Sequence, residues 1–399
     1  MLTLDKVYHA SYVLKEVVRR TDLIPAPSLC PGSEIYLKPE NLQVTGSFKV
    51  RGAYYKISLL SEEEKERGVI ACSAGNHAQG VALAAQRKKI HATICLPDGA
   101  PISKVEATKR YGAEICLVPG VYDDAYQKAL TLRDEKGYTF IHPFNDEDVI
   151  AGQASIGLEL LDQLEDVEAV IVPVGGGGLI SGVAFAIKTL RPSCKVYGVQ
   201  AAGAASMFRS IHDGHAETLP SVSTFADGIA VKCPGDLTYD MCSQYVDEIV
   251  TVTDDEISTA ILALIEQHKL IAEGAGAVSV AAAMFNKVPI AGKKTICLVS
   301  GGNIDVTILS RVITRGLLKT GRSLDITLAL SDRPGQLSLV SEIIARHGGN
   351  VVSVYHDRSD LDMQVTDCFL RLSLETRDHA HAQEIIKALS EAGLNIVKS

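Results

Sequence analysis

From residue 34 to about residue 320, short and almost uninterrupted apolar runs alternate with longer helical segments. The runs include Val69-Ile-Ala-Cys72, Ala92-Thr-Ile-Cys-Leu96, Glu114-Ile-Cys-Leu-Val118, Ala169-Val-Ile-Val-Pro173, Val196-Tyr-Gly-Val199 and Thr295-Ile-Cys-Leu-Val299. A strand that is apolar on both sides has no solvated face. Such strands, separated by helices, predict an α/β fold with doubly wound parallel sheets covered on both faces. Ligands in these folds sit beyond the carboxyl ends of the strands, so chemistry is expected there. Ahead of this region, residues 1–33 read as a helical arm that ends at the Pro-rich Ile24-Pro-Ala-Pro-Ser28.

After about residue 322 the pattern changes. Asp325 to Leu330 alternates, and Pro334-Gly335 opens an amphipathic helix through Val340, Ile343 and Ile344. Strands at Val351–Val354 and Cys368–Leu374, a helix from His379 to Leu389 and a last strand near Ile396 follow. This is the β-α-β-β-α-β order of a ferredoxin-like domain.

Composition narrows the function. The 399 residues carry a formal charge of -9, which argues against nucleic-acid or anionic-membrane partners. The first residues lack the apolar stretch of a signal peptide, and no apolar run reaches transmembrane length. Nine scattered cysteines without CxxC spacing fit a reducing cytoplasm, and neither they nor the eleven histidines show a zinc motif.

Four stretches carry candidate chemistry. In Gln43-Val-Thr-Gly-Ser-Phe-Lys-Val-Arg-Gly52, Ser47 reads as the N-cap of a helix carrying Phe48 to Leu59. Lys49 then lies in the first turn, where the positive end of the dipole and any desolvation lower an amine's pKa. A lysine so placed can act as nucleophile or base. Cys72-Ser-Ala-Gly-Asn-His-Ala-Gln-Gly80 follows a strand; Gly75 allows a tight approach, and the N–H groups of Ser73, Asn76 and His77 are expected to cradle a carboxylate. Val174-Gly-Gly-Gly-Gly-Leu-Ile-Ser-Gly182 removes β-carbons where a backbone must wrap an anion. It misses the dinucleotide fingerprint: Ile180 and Ser181 stand where the last glycine belongs, and the next strand ends at Gln200 rather than an acid. In Val299-Ser-Gly-Gly-Asn303, Ser300 offers a neutral hydroxyl at another strand end. A lysine, a carboxylate loop, a phosphate loop and a hydroxyl at strand ends together describe pyridoxal 5'-phosphate.

Ser47-Phe-Lys-Val-Arg-Gly52, Ser73-Ala-Gly-Asn-His-Ala-Gln-Gly80, the tetraglycine and Ser300-Gly-Gly-Asn303 occur in this order. In these the chain resembles the threonine dehydratases (threonine ammonia-lyases) of the tryptophan-synthase-β-like, fold-type-II pyridoxal-phosphate enzymes. Asp332-Arg-Pro-Gly-Gln-Leu337 is similar to the ACT-type regulatory domains of that family. The resemblance implies a catalytic domain over 1–320, with a smaller subdomain of about 45–145 inserted, and a regulatory domain over 325–399. It implies that Lys49, beside Phe48, holds the cofactor covalently. Asn76 would meet its ring hydroxyl, Gly175, Gly176, Gly177, Gly178 and Leu179 its phosphate, and Ser300 its pyridine nitrogen. Ser73, Gly75 and His77 would take the substrate carboxylate. The implied activity is deamination of L-threonine to 2-oxobutanoate and ammonia, with L-serine a poorer substrate.

The related serine racemases carry a serine where this chain has Ala74, and a methyl cannot relay a proton. Their divalent-metal carboxylates are replaced by Gln200, Ala204 and Ser206, so no metal site is expected and a monovalent cation stays open. Glu273 and Asp227 are each as readily loop carboxylates as catalytic groups. The alternatives are a serine racemase/dehydratase and, from another class, a non-catalytic amino-acid sensor. A cytoplasmic homodimer or homotetramer with an amino-acid or nucleotide effector near Pro334 to Leu337 is the expected setting. The role, biosynthetic toward isoleucine or catabolic, is open.

Overall fold

The computed structural model describes residues 2–359 and 364–398. The chain divides into two compact units, Met1–Asp305 and Val306–Ser399. The division falls earlier than the change of sequence pattern, because the helix Val306–Lys319 groups with the second unit.

The first unit holds two sheets. The larger has six strands in the order Ile24–Pro25, Glu34–Pro39, Lys294–Val299, Ala169–Pro173, Lys195–Ala201, Glu248–Val252. All pairs are parallel except the two-residue edge strand, which runs against Glu34–Pro39. The smaller has Glu114–Val118, Ala92–Pro97, Val69–Cys72 and Thr139–Phe140, all parallel. Its strands all lie between the second and third chain-order members of the larger sheet, so it is an insertion. Val69–Cys72 and Ala169–Pro173 are buried at every residue, as strands covered on both faces must be.

The second unit runs strand Ser323–Ser331, helix Gln336–Arg346, strands Asn350–Asp357 and Asp367–Glu375, helix His379–Glu391 and strand Asn395–Lys398. These form one antiparallel sheet in which Cys368, Leu370, Leu372 and Leu374 face the core under the two helices. Asp332, His356 and Cys368, far apart in sequence, bring one ligand-type atom each within 4.8 Å of the others. Arg358 already engages both carboxylate oxygens of Asp332, at 2.7 and 3.1 Å, so the cluster reads as an ion pair rather than a metal site. All nine cysteines are free thiols, and among the described residues no helix is long and apolar enough to cross a membrane.

Candidate active site

The carboxyl ends of strands from both sheets open onto one cavity of about 840 Å³. Phe48, Lys49, Ser73, Gly75, Asn76, His77, Gly175, Gly176, Gly177, Gly178, Leu179 and Ser300 all line it. Phe48 and Ser300, 252 positions apart, are thus neighbours, because each follows a strand whose end points the same way.

Lys49 is the first residue of the helix Lys49–Ser58. Ser47 is not its cap: Ser47 pairs through its backbone with Gly301 as an isolated bridge, and the capping position falls to Phe48, whose backbone is already helical. The helix is seated by backbone contact. A β-carbon on Gly52 would lie 2.6 Å from the Val149 carbonyl oxygen, and one on Gly152 would lie 2.6 Å from the Arg51 carbonyl. Behind Lys49, the fully buried Arg51 donates from Nε and Nη2 to Glu40 and from Nη1 and Nη2 to Glu159, at 2.7–3.1 Å, and from Nη1 to Ser155 Oγ at 3.1 Å. Every guanidinium N–H therefore has an acceptor, which lets a buried charge persist. Lys38 joins the same network through Glu159 at 2.6 Å.

The Lys49 amine is half-buried, donates to the Pro143 carbonyl at 2.8 Å and lies 5.3 Å from the centre of the Phe48 ring. Burial lowers its pKa from 10.5 to about 8, against the opposing charge of Glu273. A substantial neutral fraction near pH 8 is what an amine nucleophile needs.

The glycines of the loop also let it pack closely: added β-carbons would strike the wall behind it. On Gly176 one would lie 2.5 Å from the Phe144 ring, on Gly178 2.8 Å from the Phe144 backbone, and on Gly177, at φ +97°, 2.7 Å from Met207. Thr238 pins the loop by donating to the Gly176 carbonyl at 2.6 Å. So seated, the N–H groups of Gly175 to Leu179 have no protein acceptor among the described residues, and they open the helix Gly178–Leu190. Five orphan donors at a helix start suit a phosphate.

The carboxylate loop needs a correction. The Ser73 N–H is taken by the Cys95 carbonyl of the neighbouring strand at 3.2 Å, and the Gly75 N–H by Ser73 Oγ at 3.1 Å. Among the described residues, what remain without an acceptor at the start of the helix Asn76–Lys88 are the N–H groups of Asn76, His77 and Ala78. The His77 ring turns inward and donates from Nε2 to the Ile141 carbonyl at 2.8 Å. Burial, with the nearby Lys49 charge, pushes it down to about 3, so the ring is neutral. Ser300 is buried, and among the described residues its hydroxyl makes only a long 3.4 Å contact to the Ala275 carbonyl, one a ligand nitrogen can replace.

Three lining groups escaped the sequence reading, and the two acids it left open, Asp227 and Glu273, also line the cavity. His142, Pro143 and Phe144 follow the two-residue strand Thr139–Phe140, too short to register as an apolar run. His142 Nδ1 accepts from the N–H groups of Phe144 and Asn145 at 3.2 and 2.8 Å, and burial lowers its pKa to about 4. Asp227 forms an ion pair with Lys104 at the cavity. Glu273, buried, accepts from Asn76 Nδ2 at 2.6 Å.

Residues 14–302 match the family described as "Pyridoxal-phosphate dependent enzyme". The chain belongs to this family. This pyridoxal-phosphate-dependent enzyme is 52% identical to an L-threonine ammonia-lyase of Thermotoga maritima over 99% of each chain. It is 43% identical to one of Geobacter sulfurreducens over 98% of each. Among solved structures it resembles the processed threonine deaminase isoform 2 of Solanum lycopersicum, with TM-score 0.74 and 39% identity over 79% of this chain and 90% of that one. A maize serine racemase is similar to the same degree, with TM-score 0.75 and 36% identity over 80% and 98%. The cofactor fits the residues present: orphan donors for its phosphate, a perturbed amine for its aldehyde and an oriented amide beside them.

Proposed function

We propose that this enzyme deaminates L-threonine to 2-oxobutanoate and ammonia, with L-serine as a secondary substrate. The observation that carries the reading is the half-buried Lys49 amine held near pKa 8 in a cavity also lined by Gly175 to Leu179, whose five N–H groups have no protein acceptor among the described residues. Bound pyridoxal phosphate supplies the electron sink that makes the substrate's α-proton removable. Lys49 would hold the cofactor's aldehyde, and its amine is the group placed to take the substrate's α-proton. Gly175 to Leu179 anchor the phosphate, while Asn76 and Ser300 orient the ring. The N–H groups of Asn76 and His77, with the Ser73 hydroxyl, receive the substrate carboxylate.

The likeness to a serine racemase favours one second reading, racemisation of serine. Ala74 weighs against it: it lines the cavity with a methyl group, which cannot return a proton to the opposite face of the substrate. The second unit fits an ACT-type module that takes an amino-acid effector in a homo-oligomer. The test is to assay 2-oxobutanoate from threonine beside D-serine from L-serine. Deamination dominates if the reading holds, and racemisation outpacing it overturns the reading.

A further inference from the structure

Glu273 has a geometry that ordinary helix capping does not explain. It occupies the N-cap position of the helix Gly274–Met284, yet its side chain makes no capping bond to that helix. A short carboxylate at such a position ordinarily accepts from the helix's free N–H groups. Here it turns away, is 4% exposed and accepts from Asn76 Nδ2 at 2.6 Å. Room for this is made by Gly301, where a β-carbon would stand 2.4 Å from Glu273 Oε1 and 3.2 Å from Asn76 Nδ2. On the other side, Asn303 Nδ2 donates to Asn76 Oδ1 at 2.5 Å while also donating to the Thr45 carbonyl at 2.9 Å. The Asn76 amide is thus clamped at both ends. Its oxygen is used, one N–H is used, and one N–H is left for a ligand in the cavity.

We propose that Glu273 is a positioning residue: with Asn303 it fixes Asn76 as a hydrogen-bond donor to the cofactor's ring oxygen, and ionisation of its carboxyl tightens that hold. The proposal rests on the assignment of the cavity to pyridoxal phosphate. Other titratable groups act on Glu273. Asp227 repels its ionised form, and Lys104 and Lys49 favour it. Burial, helped by Asp227, brings its pKa to about 7, against the pull of Asn76 and the two lysines. The switch therefore falls in the neutral range. Below about pH 7 the neutral acid is the weaker acceptor; above it the carboxylate makes a charge-assisted bond.

The test uses the holoenzyme and reads the absorbance of the bound cofactor against pH, for the parent, Glu273→Gln and Glu273→Ala. Glutamine keeps an oxygen for Asn76 but cannot ionise, so the midpoint near pH 7 in the parent disappears while the cofactor stays bound. Alanine releases Asn76 and raises the cofactor's Kd about tenfold, the size of one charge-assisted hydrogen bond. A midpoint that persists in Glu273→Gln, or unchanged cofactor affinity in Glu273→Ala, overturns the proposal. Borohydride trapping of the cofactor on Lys49 in the parent keeps the outcomes apart. If trapping fails there, the cofactor assignment has failed rather than the role of Glu273.

Discussion

Replacing Lys49 by methionine should make the cofactor-free protein more stable while abolishing its activity. A pKa near 8 instead of 10.5 means that, at pH 7, the folded state holds the ammonium at a cost of about 3 kcal/mol relative to the unfolded chain. Methionine fills similar space without the charge. The sign follows from proton counts. Between pH 8 and 10.5 the folded parent binds fewer protons than the unfolded chain, so its stability rises with pH across that window. The variant has no such group and does not follow. Its advantage should be about 3 kcal/mol at pH 7, fall to about 1 kcal/mol at pH 9.5, and vanish above the unfolded value. Packing differences between the side chains contribute equally at both pH values, so the change of advantage isolates the charge. Guanidinium denaturation of both cofactor-free proteins at the two pH values measures it. A variant less stable than the parent at pH 7 whose deficit does not change by pH 9.5 would refute the claim that Lys49 is held as a strained cation. Stability gained as activity is lost is the signature of a site that stores strain for its chemistry.

Two further perturbations test the surroundings. Gly176→Ala places a methyl 2.5 Å from the Phe144 ring; the loop must shift, and cofactor affinity should fall by at least tenfold in a fluorescence titration, with secondary structure unchanged. Arg51→Met strands Glu40 and Glu159, which are buried or nearly so, and should cost about 3 to 5 kcal/mol on chemical denaturation. Burial alone would raise Glu40, yet Arg51 beside it holds its pKa below the ordinary carboxylate value. The stability it contributes is therefore present above pH 4.5 and lost as pH falls further, and acid titration of Arg51→Met should lack that loss.

Parts of this site were legible in the sequence for a physical reason. Val69–Cys72, Ala169–Pro173 and Lys294–Val299 are buried on both faces, so their apolar runs stand out, and the loops after them must carry whatever lies at the carboxyl ends. The Ser73–Gly80 loop, the glycine loop and Ser300 were found that way, and Lys49 from the helix start in its own motif. What depends on a neighbouring strand was not legible. The Ser73 N–H is consumed by Cys95, and Ser47 is drawn into a bridge with Gly301. Both partners lie outside the local motif, so local capping rules assign these groups wrongly. His142 to Phe144 follow a strand of only two residues, and a run that short leaves no periodicity to read.

The buried ion network shows why the lysine's placement needs more than its own motif. Arg51 stands two residues after Lys49, on a different side of the same helix, and reaches Glu40 beside one strand and Glu159 on a helix more than 100 residues on. Four charges of balanced sign, Lys38, Arg51, Glu40 and Glu159, contribute little net stability when fully paired, since their desolvation offsets their attraction. What they do impose is geometry: five guanidinium donors with fixed directions cannot all be satisfied if the helix rotates or slides. The Gly52–Gly152 crossing sets how closely that helix packs, and the network sets its rotation. Lys49 is then aimed into the cavity by the side of the helix that faces away from it.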